Sequence, residues 1–240
     1  IIKSSIDNQG FPKSRNIRQL IFYLKYFIII REWFKESQNL IPEYIDETIY
    51  YLGSCYAFIW QNIKQDIFFN GNYFSENKEF DQYLKRFGYT FKNQINELGG
   101  YTILKNKKII LAVDMGSSPI KTFSNDYQAG ALSFEIFSNG KKLISNSGYY
   151  SNKNSKLNKL SKGTALHNAL TIEDFSSCSF KKEQSNLMIH KGLKVTKKNI
   201  VFENNYWRLS ATHDGYLLNF GVIYERNIEF YPEQMKFIGY

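Results

Sequence analysis

The sequence predicts an α+β chain: a helical N-terminal part, residues 1–98, followed by an antiparallel β-sandwich over residues 99–240. Three observations predict it. Before Gly99-Gly100 apolar residues recur every three or four positions, after it they alternate, and no long amphipathic helix interrupts the alternating runs. A chain with 17% aromatic residues, 18 Tyr and 20 Phe among them, and only 4 Pro is not a disordered one, because those rings supply large buried areas.

Residues 1–13 read as a loop broken by Gly10 and Pro12. Ser14 is the expected N-cap of a helix running to about Glu36, its hydroxyl accepting an orphan backbone N–H. Leu20, Ile21, Leu24, Phe27, Ile28 and Trp33 give that helix a broad apolar face. A second helix is expected from about Glu43 to Gln61, entered by Pro42, where a missing N–H costs nothing, with Ile45, Ile49, Leu52 and Tyr56 as its stripe. After the turn Asn70-Gly71-Asn72 a third, shorter helix is expected from about Glu76 to Phe87.

The β part opens with a hairpin, Tyr101 to Leu104 and Lys108 to Val113, across Lys105-Asn106-Lys107. A second hairpin joins Ala131–Phe137 to Lys141–Ser147 through Ser138-Asn139-Gly140, since Asn and Gly accept the positive φ of a tight primed turn. Leu132, Phe134 and Ile136 face the core, and Ser133, Glu135 and Phe137 are expected on a partly open face. Ser151 to Lys162, rich in Lys, Asn and Ser, reads as a mobile loop. Strand-like runs follow at 168–173, 199–203, 206–212, 217–224, 227–231 and 235–239.

Three stretches carry a resemblance: Ala129-Gly130-Ala131-Leu132-Ser133-Phe134-Glu135-Ile136, then Leu143-Ile144-Ser145-Asn146-Ser147-Gly148, then Thr164-Ala165-Leu166-His167-Asn168. Together with Asp7 to Asn16, with Ala211-Thr212-His213-Asp214-Gly215-Tyr216, and with Gly221-Val222 and Arg226, they resemble heparinase II/III-like proteins. The resemblance implies a polysaccharide lyase in which an (α/α) toroid, here represented by its last helices, precedes the β-sandwich. It also implies a chain that continues at both ends and a place in the periplasm or cell envelope.

A uronate lyase neutralises the C5 carboxylate, removes the adjacent proton and protonates the departing O4. The family pattern implies a Tyr on a toroid helix, a His-x-His-x-Asp segment before the Leu-Ser-Phe-Glu strand and, in some members, a structural zinc. This chain departs from it. Ser14-Arg15-Asn16-Ile17-Arg18 offers no phenol, and Asp126-Tyr127-Gln128-Ala129-Gly130 replaces both histidines. Of the zinc set, Gln128 and Asn146 stand for two ligands and only His167 is of ordinary ligand type, so no metal and no other cofactor is expected.

The remaining candidates are Arg15 and Asn16 from the helical side with Asp126, Tyr127, Gln128, His167 and Asn168 from the sandwich. Asp126 or His167 would act as base, Tyr127 as proton donor, and Arg15 as a bidentate fork on a carboxylate, with Asn16, Gln128 and Asn168 also contacting substrate. Two bland alternatives stand beside these. His167-Asn168 would simply pin a sandwich loop, and Asp126 would be a solvated turn carboxylate.

His190, ending the run Leu187-Met188-Ile189, reads as structural. His213-Asp214 is not a dyad, because neighbours on a strand face opposite ways; Asp214-Gly215 reads as a hairpin turn. Nothing supports acyl or phosphoryl transfer, since neither a Gly-x-Ser-x-Gly elbow nor a phosphate-cradling loop is present.

The formal charge of +9 and pI of about 9.3 favour a polyanionic partner, which the resemblance makes an acidic polysaccharide; the bland alternative is a generally basic surface with no dedicated partner. No Lys/Arg block has the density of a nucleic-acid module. Cys55 and Cys178 lie in parts of different character and are expected as buried free thiols. Leu20 to Ile30 is too short an apolar run to span a bilayer.

Overall fold

The computed structural model describes residues 2–61, 63, 65–73, 78–184 and 186–240. After a single turn, α1 (Ile2–Ser5), the chain reaches α2 (Ile17–Glu36), which Asn16 caps rather than Ser14. The Asn16 side chain accepts from Arg18 N at 2.8 Å and Gln19 N at 3.2 Å. The reason is Arg15, whose φ of +58° turns the backbone left-handed and prevents a helix from starting before it. Ser14 is occupied elsewhere, donating to Gln19 Oε1 at 2.5 Å.

Helix α2 packs Leu20, Leu24 and Ile28 against Ile45, Ile49 and Leu52 of α3 (Glu43–Tyr56). A π-helical turn, Ala57–Gln61, extends α3 and buries Phe58 and Ile59. The third helix, α4, is described from Lys78 to Arg86, and the expected start at Glu76 lies outside the described residues.

Five strands form the first sheet, paired antiparallel in chain order: β1 (Glu97–Leu98), β2 (Tyr101–Lys105), β3 (Ile109–Asp114), β4 (Phe134–Ser138) and β5 (Lys141–Ile144). At the β4–β5 turn Asn139 has φ +48° and Gly140 φ +76°, the double left-handed pair the sequence signals. Helix α5 (Lys156–Ser161) and the ribbon β6 (Ser179–Glu183) with β7 (Asn186–Lys191) come next. The second sheet, ordered β11-β10-β9-β8, takes β8 (Val195–Phe202), β9 (Trp207–His213), β10 (Tyr224–Tyr231) and β11 (Lys236–Gly239), with the short α6 (Leu217–Phe220) between β9 and β10.

The first sheet is shared by two cores because side chains alternate across it. Tyr101, Ile103, Ala112 and Phe137 join the helical core, whereas Leu104, Leu111, Val113 and Ile136 meet Trp207, Leu209, Ile228 and Phe230 of the second sheet. The face of β4 expected to be partly open is therefore covered. Phe137 is 1% exposed and Glu135 0% exposed, the latter paired with Lys142 at 2.9 Å.

Other expectations change for equally local reasons. Ser151 to Lys162 contains a capped helix, with Ser155 accepting from Leu157 N and with Asn158, Ser161 and Lys162 buried. The run 168–173 forms only an isolated bridge, Ile172 to Phe175, and the first half of 217–224 is helix, with a strand beginning only at Tyr224. His213-Asp214-Gly215 does turn the chain, but into α6 instead of directly into a strand, with Gly215 N donating to His213 Nδ1 at 3.1 Å. Cys55 and Cys178 are buried free thiols, as expected.

Candidate functional site

The junction between the helical part and the first sheet is stitched by Arg15. Its five N–H donors meet five acceptors: Gly99 O, Gly100 O, Gly116 O, Ser117 O and Asp114 Oδ1, the last at 2.5 Å. The guanidinium thus has no donor left for a sugar carboxylate. The fork expected to bind substrate instead holds β2, β3 and the segment after β3 to the start of α2.

From Asp114 the network runs on. Asp114 Oδ2 accepts from Asn70 Nδ2 at 2.9 Å, and Asn70 Oδ1 accepts from Gln128 N at 3.2 Å. The Gln128 side chain, wholly buried, accepts from Gly71 N at 3.1 Å and donates to Ser161 O at 2.6 Å and Gly148 O at 3.2 Å. Gly71 sits at φ +76°, and a Cβ there would lie 2.4 Å from the Asn16 amide, so this close approach requires glycine. Arg15 and Gln128 therefore share one junction, but both are consumed in building it.

Asp126 lies at the half-buried edge of this network and is the point where the two parts meet chemically. Asn16 Nδ2 donates to its Oδ2 at 3.0 Å from the helical side, and the Tyr149 hydroxyl donates to its Oδ1 at 2.9 Å from the sandwich. Asn158 Nδ2, on α5, donates to the same phenol oxygen at 3.0 Å. Burial, and then the Asp126 charge, push the Tyr149 phenol above the usual tyrosine range, so it stays protonated at neutral pH.

The remaining candidates are placed elsewhere. Tyr127 is 1% exposed in a small apolar cluster with Ala129, Cys178, Ile189 and Leu193, whereas Tyr149, at 7%, is nearly as buried but sets its hydroxyl on Asp126. His167 donates from Nδ1 to Gly163 O at 3.0 Å, and burial lowers its pKa, leaving a neutral ring with Nε2 buried and unpartnered among the described residues. With Asn168, it lines a separate groove of about 670 Å³ between β4, β10 and β11, next to Phe134, Tyr224 and Arg226. Asn168 donates to Phe134 O at 3.1 Å and its N–H to Asn146 Oδ1 at 2.8 Å, which pins the loop. His190 is exposed on β7.

The residues at the family's zinc positions do not fit a zinc ion. Two are neutral amides whose oxygens already accept backbone N–H groups, Gln128 Oε1 from Gly71 and Asn146 Oδ1 from Asn168. Hydrogen bonds hold in place what a metal would otherwise hold.

Sequence reasoning missed Tyr149, Asn158, Asn70 and Asp114. Tyr149 follows directly on the stretch Leu143 to Gly148 and was within reach. Asn158 lies in a segment that reads as loop, Asn70 is legible only as a turn residue, and nothing local marks Asp114.

Among the described residues no helix is long and apolar enough to cross a membrane. A comparison with curated proteins gives no match. Among solved structures, the heparan sulfate lyase HepC from Pedobacter heparinus is similar at 16% identity and TM-score 0.68, covering 96% of this chain and 38% of that one. A mutant of the same lyase gives 15% identity and TM-score 0.69, and a heparinase III gives 16% and 0.66 over 96% of this chain and 40% of that one. The chain thus spans about two fifths of the length of these structures, and at such identities the likeness is one of fold. Residues 97–240, more than half of the chain, match the family described as heparinase II/III-like, C-terminal. The antiparallel sandwich, its junction with the helices and this match together establish that the chain belongs to the heparinase II/III-like family.

Proposed function

We propose that the protein acts on an acidic, uronate-containing polysaccharide by β-elimination, in the periplasm or cell envelope, with Asp126 and Tyr149 transferring the protons. The observation that carries this reading is their 2.9 Å hydrogen bond, anchored to the helical part through Asn16. In the reaction the Asp126 carboxylate takes the C5 proton, the C4–O4 bond breaks as the C4–C5 double bond forms, and the Tyr149 hydroxyl gives its proton to O4. The proton on Asp126 then returns to the Tyr149 oxygen along their hydrogen bond, restoring both groups. Asn158 steadies the phenolate oxygen that exists between these steps.

Incubating the full chain with oligouronates of several classes and following the absorbance of the unsaturated product tests the reading. Asp126→Asn and Tyr149→Phe should each lower turnover by about 10²–10⁴-fold with the fold retained. Unchanged turnover in both variants assigns the chemistry elsewhere.

A second reading, binding of such a polysaccharide without turnover, is supported by the internal saturation of Arg15 and Gln128. Glycan binding with no product formed selects it over the first.

A further inference from the structure

Helix α5 turns two different faces to its surroundings. Asn158, Ser161 and Lys162 point inward: Asn158 to the Tyr149 hydroxyl and Tyr150 O, and the Ser161 carbonyl to Gln128 Nε2. The Lys162 ammonium donates to Asn125 O and to Leu187 O at 2.7 Å, so the helix is bolted to the segment that carries Asp126. Lys156 and Lys159 lie on the outer face three residues apart and exposed, and Lys153, exposed just before the Ser155 cap, reaches Asn186 Oδ1 at 3.0 Å. From Ser151 to Lys162 there are four lysines at three-residue intervals and no Asp or Glu. Among the described residues none of Lys153, Lys156 and Lys159 makes an ion pair.

This row is not a balanced solvated face. Like charges at i,i+3 repel by a few tenths of a kcal/mol, and here the repulsion is left uncompensated while Lys153 also presses on the buried Lys162 ammonium. A polyanion running along the helix relieves it. The same six-residue helix contacts the proton-transfer pair through Asn158 on its inner face, so a chain held on its outer face runs about one helix diameter, ~10 Å, from that pair.

We propose that Lys153, Lys156 and Lys159 form an anchoring surface for the anionic groups of a polysaccharide, holding part of the chain one helix width away from Asp126 and Tyr149. This rests on the reading of that pair as the site for a uronate polysaccharide. The exposed Leu157 and Leu160, 51% and 57% exposed, raise an anionic lipid surface as the competing occupant. A helix of six residues offers such a surface only two leucines, whereas three exposed lysines and no acidic residue occupy the same stretch.

The test uses the full chain and its Lys153→Glu/Lys156→Glu/Lys159→Glu variant, with binding to a heparin oligosaccharide and to a sulfate-free oligouronate followed by calorimetry across salt concentrations. The variant should bind both at least about tenfold more weakly and with a shallower dependence on salt, since exposed charges act through screened attraction. A Lys→Gln version should fall between the two, and both variants should keep one cooperative thermal transition, because the three side chains are exposed and outside the core. Unchanged affinity and salt dependence overturn the proposal, as does binding of wild type to phosphatidylserine vesicles but to neither oligosaccharide. If wild type binds, the variant does not, and neither yields unsaturated product, the anchoring surface stands and the proton-transfer reading falls.

Discussion

Arg15 shows how one residue can look like a ligand and be a rivet. A lone arginine before a helix, on a chain bearing +9, invites a substrate carboxylate, yet its partner is Asp114, 99 residues away and 1% exposed at its side chain. Removing one partner of such a pair leaves a buried charge unmatched, which costs about 3–5 kcal/mol. Arg15→Met should therefore lower the unfolding free energy from denaturant titration by about 3–5 kcal/mol, while Arg15→Met/Asp114→Asn should recover part of it. Equal losses in the single and double variants would show that the ion pair is not the coupling.

His213 gives a pH signature at the same scale. Burial lowers its pKa to about 4, and Gly215 N donating to Nδ1 requires the neutral ring. A folded pKa below the unfolded value means that the unfolded chain binds the proton first as pH falls. The stabilisation is complete above about pH 6.5 and is lost progressively toward pH 4, up to about 3 kcal/mol. Urea titrations at pH 7 and pH 4.5 should show His213→Gln losing less stability across that interval than wild type.

At the scale of elements, α5 and the α2 cap couple local structure to the site. Asn16 both caps α2 and holds Asp126, so Asn16→Ala should cost more than the ~1 kcal/mol of a simple N-cap, and Asn16→Ser, which can still cap, should restore only part of it. Lys162 tests α5. Burial lowers its pKa to about 8, and Asp126 opposes that shift. Its folded pKa lies below the unfolded 10.5, so stability rises as pH climbs from about 8 toward 9.5, before tyrosines begin to titrate. In Lys162→Met that rise should be absent. The segment reads as loop in sequence because Lys, Asn and Ser carry little apolar periodicity. Its helix is set by the Ser155 cap and by polar side chains, Asn158 and Ser161, facing inward.

For the whole molecule, the consequence is that the first sheet cannot unfold by halves. It lends one face to the helical core and the other to the second sheet. Leu24→Ala and Leu209→Ala, one in each core, should each cost roughly 2–5 kcal/mol and should shift a single transition seen alike by far-ultraviolet circular dichroism and tryptophan fluorescence. Two separate transitions would show that the layers are independent.

What the sequence by itself determined was local: the two long helices, the hairpins around Lys105-Asn106-Lys107 and Asn139-Gly140, the change of period near Gly99, and the motif set marking the family. These follow from patterns within a few residues, where backbone propensity and side-chain alternation act. The tertiary structure alone decided which polar residues meet. Arg15 finds Asp114, Gln128 finds Gly71 and Ser161, and Tyr149 rather than Tyr127 faces Asp126, because such pairings depend on how a sheet folds back on a helix. Two tyrosines of one chain are alike in sequence, and tertiary packing leaves Tyr127 among apolar side chains while it sets the Tyr149 hydroxyl against a carboxylate.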